Sequence, residues 1–336
     1  MKWYNPFEVA EKLRPKMIDL KNKKVLLAVL AGTGQEKDLT KERFFENIFR
    51  AKIYTKPEER ELDYFKGEPA GIASERLGVS PDECNAVFLG QINGCNLDCW
   101  YCYVDRIANS ANHKYGKFFS AEEYLKHFLE QRSRGLNVLR ISGGEVFIVP
   151  EIIFWMVEAI EKAKLENDLY VWVDCNLATG NNYWKYLNMR QRAKIRKFKN
   201  LGVCVCYKGF DDKTFYENTG AAPEFFEEQI KLHRRLVDEK LDVYSYLYPV
   251  TSSADNLRKR LADFMDRLQL GVGRYAPLRM ATPPIKVYGP TEKRLTPERK
   301  RALENQWEAM KVWKEELQKR YTPEQLSLKP HEISVR

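Results

Sequence analysis

Between Asn85 and Met280 the chain alternates short apolar runs with amphipathic stretches, and this constrains the fold more than any other feature. Ala86 to Gly90, Val138 to Ser142, Leu169 to Asp174, Val203 to Tyr207 and Val243 to Tyr248 read as strands, with a sixth at Arg274 to Met280. Helical spacing fills the gaps: a helix opening at the Ser120/Glu123 capping box, then Pro150 to Leu165, Trp184 to Phe198, Pro223 to Glu239 and Ala254 to Leu270. Parallel strands need crossovers, and helices supply them. The pattern therefore predicts an α/β fold, a partial (β/α)6 barrel of the TIM type spanning 85–285. Pro277 suits an edge position for the last strand.

Mainly helical extensions are expected at both ends, over 1–84 and 286–336. Glu8 to Met17 has helical spacing, and Lys24 to Ala31 is apolar enough for one buried strand or helix. Gly32-Thr33-Gly34 lacks the glycine–lysine pair of a phosphate loop and the third glycine of a dinucleotide fingerprint, so it reads as a turn. Lys37 to Gly78 is highly charged and reads as short helices packed on the core. Thr296 and Pro297 open one long charged helix.

The 336 residues are 44% hydrophobic and 12% aromatic, enough for a large core. Lys+Arg 56 against Asp+Glu 47 leaves +9, compatible with an RNA, phosphate-bearing or acidic-peptide partner without requiring one. Nucleic acid is thus a possible partner and a membrane is not expected. The start Met1 to Pro6 has no charged-then-apolar signal, and no apolar run reaches membrane length, so a cytoplasmic protein is expected.

Seven cysteines do not form a disulfide pattern, because three fall in one loop: Gly94-Cys95-Asn96-Leu97-Asp98-Cys99-Trp100-Tyr101-Cys102-Tyr103. Thiolates select zinc, copper(I) or iron–sulfur clusters. A structural zinc site wants four ligands, so a zinc knuckle would need Cys84 or His113 to complete it, and C-x3-C is a poor zinc hairpin. A cubane held by three cysteines instead leaves one iron open to a ligand. One βα unit later, strand two runs into Ser142-Gly143-Gly144-Glu145, where two glycines admit a ligand and a carboxylate follows that can pair with an ammonium group.

Together these motifs resemble the radical SAM superfamily. That resemblance implies a 4Fe–4S cluster on Cys95, Cys99 and Cys102 and S-adenosylmethionine (SAM) held at Gly143, Gly144 and Glu145 with Ser142 beside them. It also implies Tyr101 packed on adenine. Val173-Asp174-Cys175-Asn176 is similar to the "D-T-N-G" strand end of the glycyl-radical-enzyme activases, with Cys175 for Thr and Leu177 for Gly; this implies Asp174 and Asn176 as SAM contacts. Cys206-Tyr207-Lys208 is similar to their "D-L-K", with Cys206 for Asp. The activity implied is oxidoreductase-type: reductive cleavage of SAM to a 5′-deoxyadenosyl radical that abstracts hydrogen from a substrate, as an activase-like or modifying enzyme. A flavodoxin- or ferredoxin-type donor would supply the electron.

Cys175, Cys204 and Cys206 are either inert core thiols or catalytic hydrogen donors. His113 reads as polar surface, and Trp307 and Trp313 as packing anchors. The run Lys185, Arg190, Arg192, Lys194, Arg196, Lys197 and Lys199 is a solvated basic face or a docking face. The substrate expected is a protein or peptide, with a small metabolite or an RNA base as the alternatives.

Overall fold

The apolar runs become strands in the order that the alternation requires. The computed structural model describes residues 3–38, 43–53, 67–132 and 135–335. Its strands are β1 (Ile18–Asp19), β2 (Lys24–Ala28), β3 (Arg43–Phe45), β4 (Phe49–Ile53), β5 (Ala86–Ile92), β6 (Gly116–Ser120), β7 (Leu136–Gly143), β8 (Tyr170–Cys175), β9 (Leu201–Tyr207), β10 (Asp242–Leu247) and β11 (Met280–Ala281). β5, β7, β8, β9, β10 and β11 lie side by side, each parallel to the next. This is the mixed α/β architecture of a partial barrel, with apolar helix faces packed on its outside.

Three expectations need correction. Strand six shrinks to the two residues of β11, because Ala276–Arg279 forms a 3-10 turn in which Pro277 offers no N–H to a ladder. The basic helix is broken in two, Asn182–Tyr186 and Met189–Lys197, since Asn188 caps the second piece through a capping box with Gln191. Trp307 is 59% exposed and anchors nothing, whereas Trp313 is buried with its ring centroid 5.9 Å from that of Phe264.

Residues 1–84 do more than pack against the barrel. β4 pairs antiparallel with β5, and β2 touches β5 at Leu27 and Ile92, so the extension continues the same sheet. Lys24 to Ala28 thus takes the strand option. The charged stretch Lys37 to Gly78 holds the β3–β4 hairpin and the helix Pro69–Leu77, while 39–42 and 54–66 lie outside the described residues. Small side chains on that helix (Ala70, Ala73) and Ile72 pack against Val87, Val138, Tyr170, Trp172 and Tyr244, the inward-facing residues of the strands' N-terminal halves. The helix therefore stops the lower end of the barrel. Arg76 on it and Arg279 both clamp Asp242 at the start of β10. Burial pushes the Asp242 carboxyl up, but the two guanidiniums outweigh it and hold it below the usual range.

The N-terminal helix Pro6–Met17, capped by Asn5, is fixed by one buried ion pair. Arg14 meets Glu151 and donates to the Ile148 carbonyl at 2.7 Å. Arg14→Ala strands a buried carboxylate, so the unfolding free energy is expected to fall by about 3–5 kcal/mol, while a double Arg14→Met/Glu151→Leu variant recovers most of it. Urea unfolding checks this; an equal loss in both variants would mean the pair contributes only packing.

Candidate active site

β5 delivers the cysteine loop, and buried asparagines hold it open. Asn93 accepts the Ala111 N–H at 3.0 Å and donates to the Tyr115 carbonyl at 2.8 Å, closing the loop on itself. The Cys95 N–H donates to the Asn109 carbonyl and the Trp100 N–H to the Asn218 carbonyl, each at 3.0 Å. The C-terminal extension adds a strap that no motif announced. Arg294 donates to the Cys99 carbonyl at 2.9 Å and to that of Cys102, and the Thr291 hydroxyl reaches the Tyr101 and Cys102 carbonyls at 3.4 Å.

The end of β7 docks onto this loop backbone to backbone. The Gly144 N–H donates to the Ile92 carbonyl at 2.9 Å and the Glu145 N–H to the Gly94 carbonyl at 2.8 Å. A Cβ on Gly144 would lie 2.6 Å from the Ile92 oxygen and nearer still to that of Gly94. Gly143 has φ +90°, which L side chains rarely adopt. The glycine pair is thus needed for strand-end packing as well as for ligand access.

Cys95, Cys99 and Cys102 are free thiols lining one cavity of about 310 Å³ with Tyr101, Ser142, Gly143, Gly144, Glu145, Asp174 and Asn176. Every residue expected to hold cluster or SAM therefore reaches the same space, at the C-terminal ends of the parallel strands. Burial, then the neighbouring thiols, pushes Cys95 well up; burial takes Cys99 to about 12. Such thiols ionise only when a cation compensates them. Among the described residues no three Cys, His, Asp or Glu side chains converge closely enough for a single ion. A cubane makes no such demand, because each thiolate reaches a different corner. The zinc-knuckle alternative lacks its fourth ligand: Cys84 is buried against the helix Pro69–Leu77, and His113 Nε2 lies 2.8 Å from the Lys16 carbonyl.

Glu145 and Asp174 are both already engaged within the protein. Glu145, 1% exposed, accepts the Phe147 N–H at 2.9 Å and the Asn176 N–H at 2.7 Å, so it ties β7 to β8 before it meets any ligand. Burial raises its pKa to about 7, against the pull of those two amides and of Lys208. Asp174 is engaged on both oxygens, by Arg140 at 2.7 and 3.0 Å, by the Ser142 hydroxyl and by Trp172 Nε1 at 2.9 Å. Asn176 donates to Asn96 Oδ1 at 2.8 Å and points at Cys95 Sγ at 3.7 Å, so its side chain faces the thiol loop. Leu177, in the glycine position of the activase pattern, takes φ +61° while fully buried. Cys175 and Cys206 line the cavity; Cys204 does not, and is buried beneath it beside Tyr244 and Tyr246.

Lys208 lies in the activase-like strand end, but that resemblance alone implied no role for it. Its ammonium sits 5.0 Å from the Tyr248 ring centroid, on the cavity wall, and meets no carboxylate or carbonyl among the described residues. Burial alone would lower its pKa, but the thiols of Cys206, Cys99, Cys102 and Cys95 outweigh it and hold it above the usual range. The Tyr101 hydroxyl is also buried without a partner among the described residues, its ring 5.8 Å from that of Tyr248. An unpaired ammonium and an unpaired hydroxyl facing one cavity fit a ligand carrying a carboxylate and a heteroaromatic base, as SAM does. Arg50, Lys52, Glu68, Arg140 and the roof Pro283 to Tyr288 complete the lining. The signal for Arg140 was a charge inside an otherwise apolar strand.

A model described as the radical SAM superfamily matches residues 91–264. The chain is 28% identical over 197 residues to a pyruvate formate-lyase-activating enzyme of Clostridium pasteurianum, covering 57% of this chain and 74% of that one. Among solved structures it is similar to Streptococcus suis SuiB bound to its precursor peptide SuiA (TM-score 0.38, 16% identity, 55% of this chain and 36% of that one). It is also similar to TYW1 with a lysine–pyruvate adduct bound (TM-score 0.42, 12% identity, 68% of this chain and 74% of that one). The chain thus spans about a third of the SuiB chain.

Gly144→Ala forces a side chain between two carbonyls of the cysteine loop. It is expected to cost ~1–3 kcal/mol in the apo-protein and to reduce iron uptake on anaerobic reconstitution. Calorimetry and iron analysis check it; normal values for both would mean that the docking is not needed.

Proposed function

The chain belongs to the radical SAM superfamily, and from that premise we propose that Cys95, Cys99 and Cys102 hold its 4Fe–4S cluster, that the cavity beside them binds SAM, and that the substrate is a polypeptide. When bound, the cluster supplies the electron that cleaves SAM reductively to a 5′-deoxyadenosyl radical. The observation that carries the proposal is the convergence of the three thiols, the Gly143–Glu145 turn, Lys208 and Tyr101 on one cavity.

Each side chain then has a task. Lys208 takes the SAM carboxylate, a charge-assisted contact for an ammonium that meets no carboxylate among the described residues. The glycine pair keeps the end of β7 free of side chains where the methionine end approaches. Glu145, already held by two amides, faces the ammonium group with its remaining lone pairs. Tyr101, with Tyr248 beside it, offers a ring and a hydroxyl to adenine. The roof and the stopped lower end exclude water from the lumen. Asp174 and Ser142 act indirectly, by fixing Arg140 in the cavity wall. A flavodoxin- or ferredoxin-type donor is proposed as the electron source.

A polypeptide substrate is supported by the relative named for activating another enzyme. A small metabolite is the second reading, favoured by a lumen of about 310 Å³ roofed by Pro283, Pro284, Ile285 and Tyr288. The basic helix lends little to an RNA substrate, because Arg192 and Arg196 pair with Glu239 and Lys194 with Glu161.

Anaerobic reconstitution with iron and sulfide tests the core. The wild type is expected to gain sulfur-to-iron absorbance and cleave SAM, and Cys99→Ala to lose both; an intact cluster in Cys99→Ala contradicts the assignment. Lys208→Met is expected to weaken SAM binding by about 1.5–3 kcal/mol with the cluster retained, and an unchanged Kd would remove Lys208 from the site. Deuterium from labelled cell peptides should appear in 5′-deoxyadenosine; if only labelled metabolites supply it, the substrate is small.

Glu145 adds a pH dependence whose sign follows from its raised pKa. The folded protein holds this proton more tightly than the unfolded chain, so the group's contribution to stability is complete below the ordinary 4.5 and lost as pH rises through about 7. An ammonium ligand prefers the ionised form, so SAM affinity is expected to rise with pH through about 7. Calorimetric titration across that range checks it; a flat profile means that the ammonium is held elsewhere.

A further inference from the structure

Two asparagine amides aim N–H groups at the sulfurs of the first and third loop cysteines. Asn176 Nδ2 lies 3.7 Å from Cys95 Sγ, and Asn109 Nδ2 lies 3.8 Å from Cys102 Sγ. Among the described residues no side-chain donor reaches Cys99 Sγ. The Asn176 orientation is determined twice over. Its Nδ2 also donates to Asn96 Oδ1 at 2.8 Å, and its Oδ1 accepts the Ala178 N–H at 2.9 Å. Flipping the amide would break both bonds. Its backbone is pinned as well, by Gln229 Nε2 on its carbonyl at 2.6 Å and by Glu145 on its N–H. Asn109 is held differently: its carbonyl accepts the Cys95 N–H, while its Oδ1 is buried with no partner among the described residues. A buried amide that leaves its oxygen unsatisfied is poor for stability, which suggests that its N–H serves another purpose.

Hydrogen bonds to cluster sulfurs are among the levers that set a cluster's reduction potential. A donor stabilises the electron-rich reduced state more than the oxidised one, because negative charge on sulfur grows on reduction. Resting on the proposal that Cys95, Cys99 and Cys102 are the cluster ligands, the geometry points to Asn109 and Asn176 as positioning residues that raise the cluster's reduction potential through N–H···S contacts. They act through two of the three ligands; Asn176 also lines the cavity, and Asn109 does not. The consequence is a less demanding electron donor than the same loop would need with apolar neighbours. The contacts also join the loop to two different supports: Asn109 lies in the loop's own return, whereas Asn176 stands at the end of β8. A substrate or ligand that shifts the β8 strand end would therefore act on only one of them.

The test is a redox titration of the reconstituted full-length chain, followed by electron paramagnetic resonance of the reduced cluster. Asn109→Leu removes one N–H and one unsatisfied oxygen together. Its thermal stability is expected to equal or exceed that of the wild type, while its midpoint potential moves to a more negative value. Asn176→Leu is expected to lose stability and to shift in the same direction, and the two shifts should be roughly additive because they act on different sulfurs. Asn109→Leu with wild-type iron content and an unchanged potential overturns the inference, even if Asn176→Leu does not fold. A wild-type chain that takes up no cluster overturns instead the assignment on which the inference rests.

Discussion

The site depends on one backbone contact, the docking of the Gly143–Glu145 turn on the carbonyls of Ile92 and Gly94. Two hydrogen bonds there join the end of β7 to the start of the cysteine loop, so that the thiol-bearing segment and the glycine turn move as one body. The contact is possible only because Gly144 lacks a Cβ. Further fastenings surround it. Asn93 closes the loop, Arg294 and Thr291 hold it from the C-terminal extension, and Tyr4 accepts the Asp98 N–H at 2.9 Å from the N-terminal one. Ten residues of irregular chain are thus fixed by neighbours from both ends of the molecule. A ligand set on a loop needs this, since loop backbone has no ladder of its own to hold it.

The two extensions have a common role. The helix Pro69–Leu77 fills the lower barrel, β4 widens the sheet beside β5 and brings Arg50 and Lys52 to the cavity, and Pro283 to Tyr288 roofs it. A six-stranded partial barrel is open on one side. Here the segments before and after the core supply the missing enclosure. Arg50 joins the two ends of the site, donating to the Tyr103 hydroxyl at 3.1 Å just beyond the last cysteine.

What could be read from sequence was what is local. The parallel strands and their helices follow from period-2 and period-3.6 patterns, and the cysteine and Gly-Gly-Glu motifs are contiguous, so both were legible before any fold was known. Strand six was misjudged because Arg274 to Met280 has strand-like composition, but Pro277 cannot donate to a ladder. β4 was missed because its partner β5 lies more than thirty residues downstream, beyond the reach of a pattern argument. Arg294 carried no signal at all, and Lys208 stood in a motif-like strand end without a role of its own, since the meaning of both arises only when distant segments meet the thiol loop. Asp174 was expected as a SAM contact from the activase-like strand end; it lines the cavity, and a motif resemblance names no partner within the protein. Its partners are Arg140, Ser142 and Trp172.

If Cys95, Cys99 and Cys102 hold a cubane, one of its irons is left open to a ligand in the adjoining cavity. Mössbauer spectra of the chain reconstituted with iron-57, recorded with and without SAM, test it most directly. A cubane signal is expected in which the parameters of one iron site in four change when SAM is added. Spectra that stay identical on adding SAM, or that report an isolated iron in place of a cluster, would contradict it.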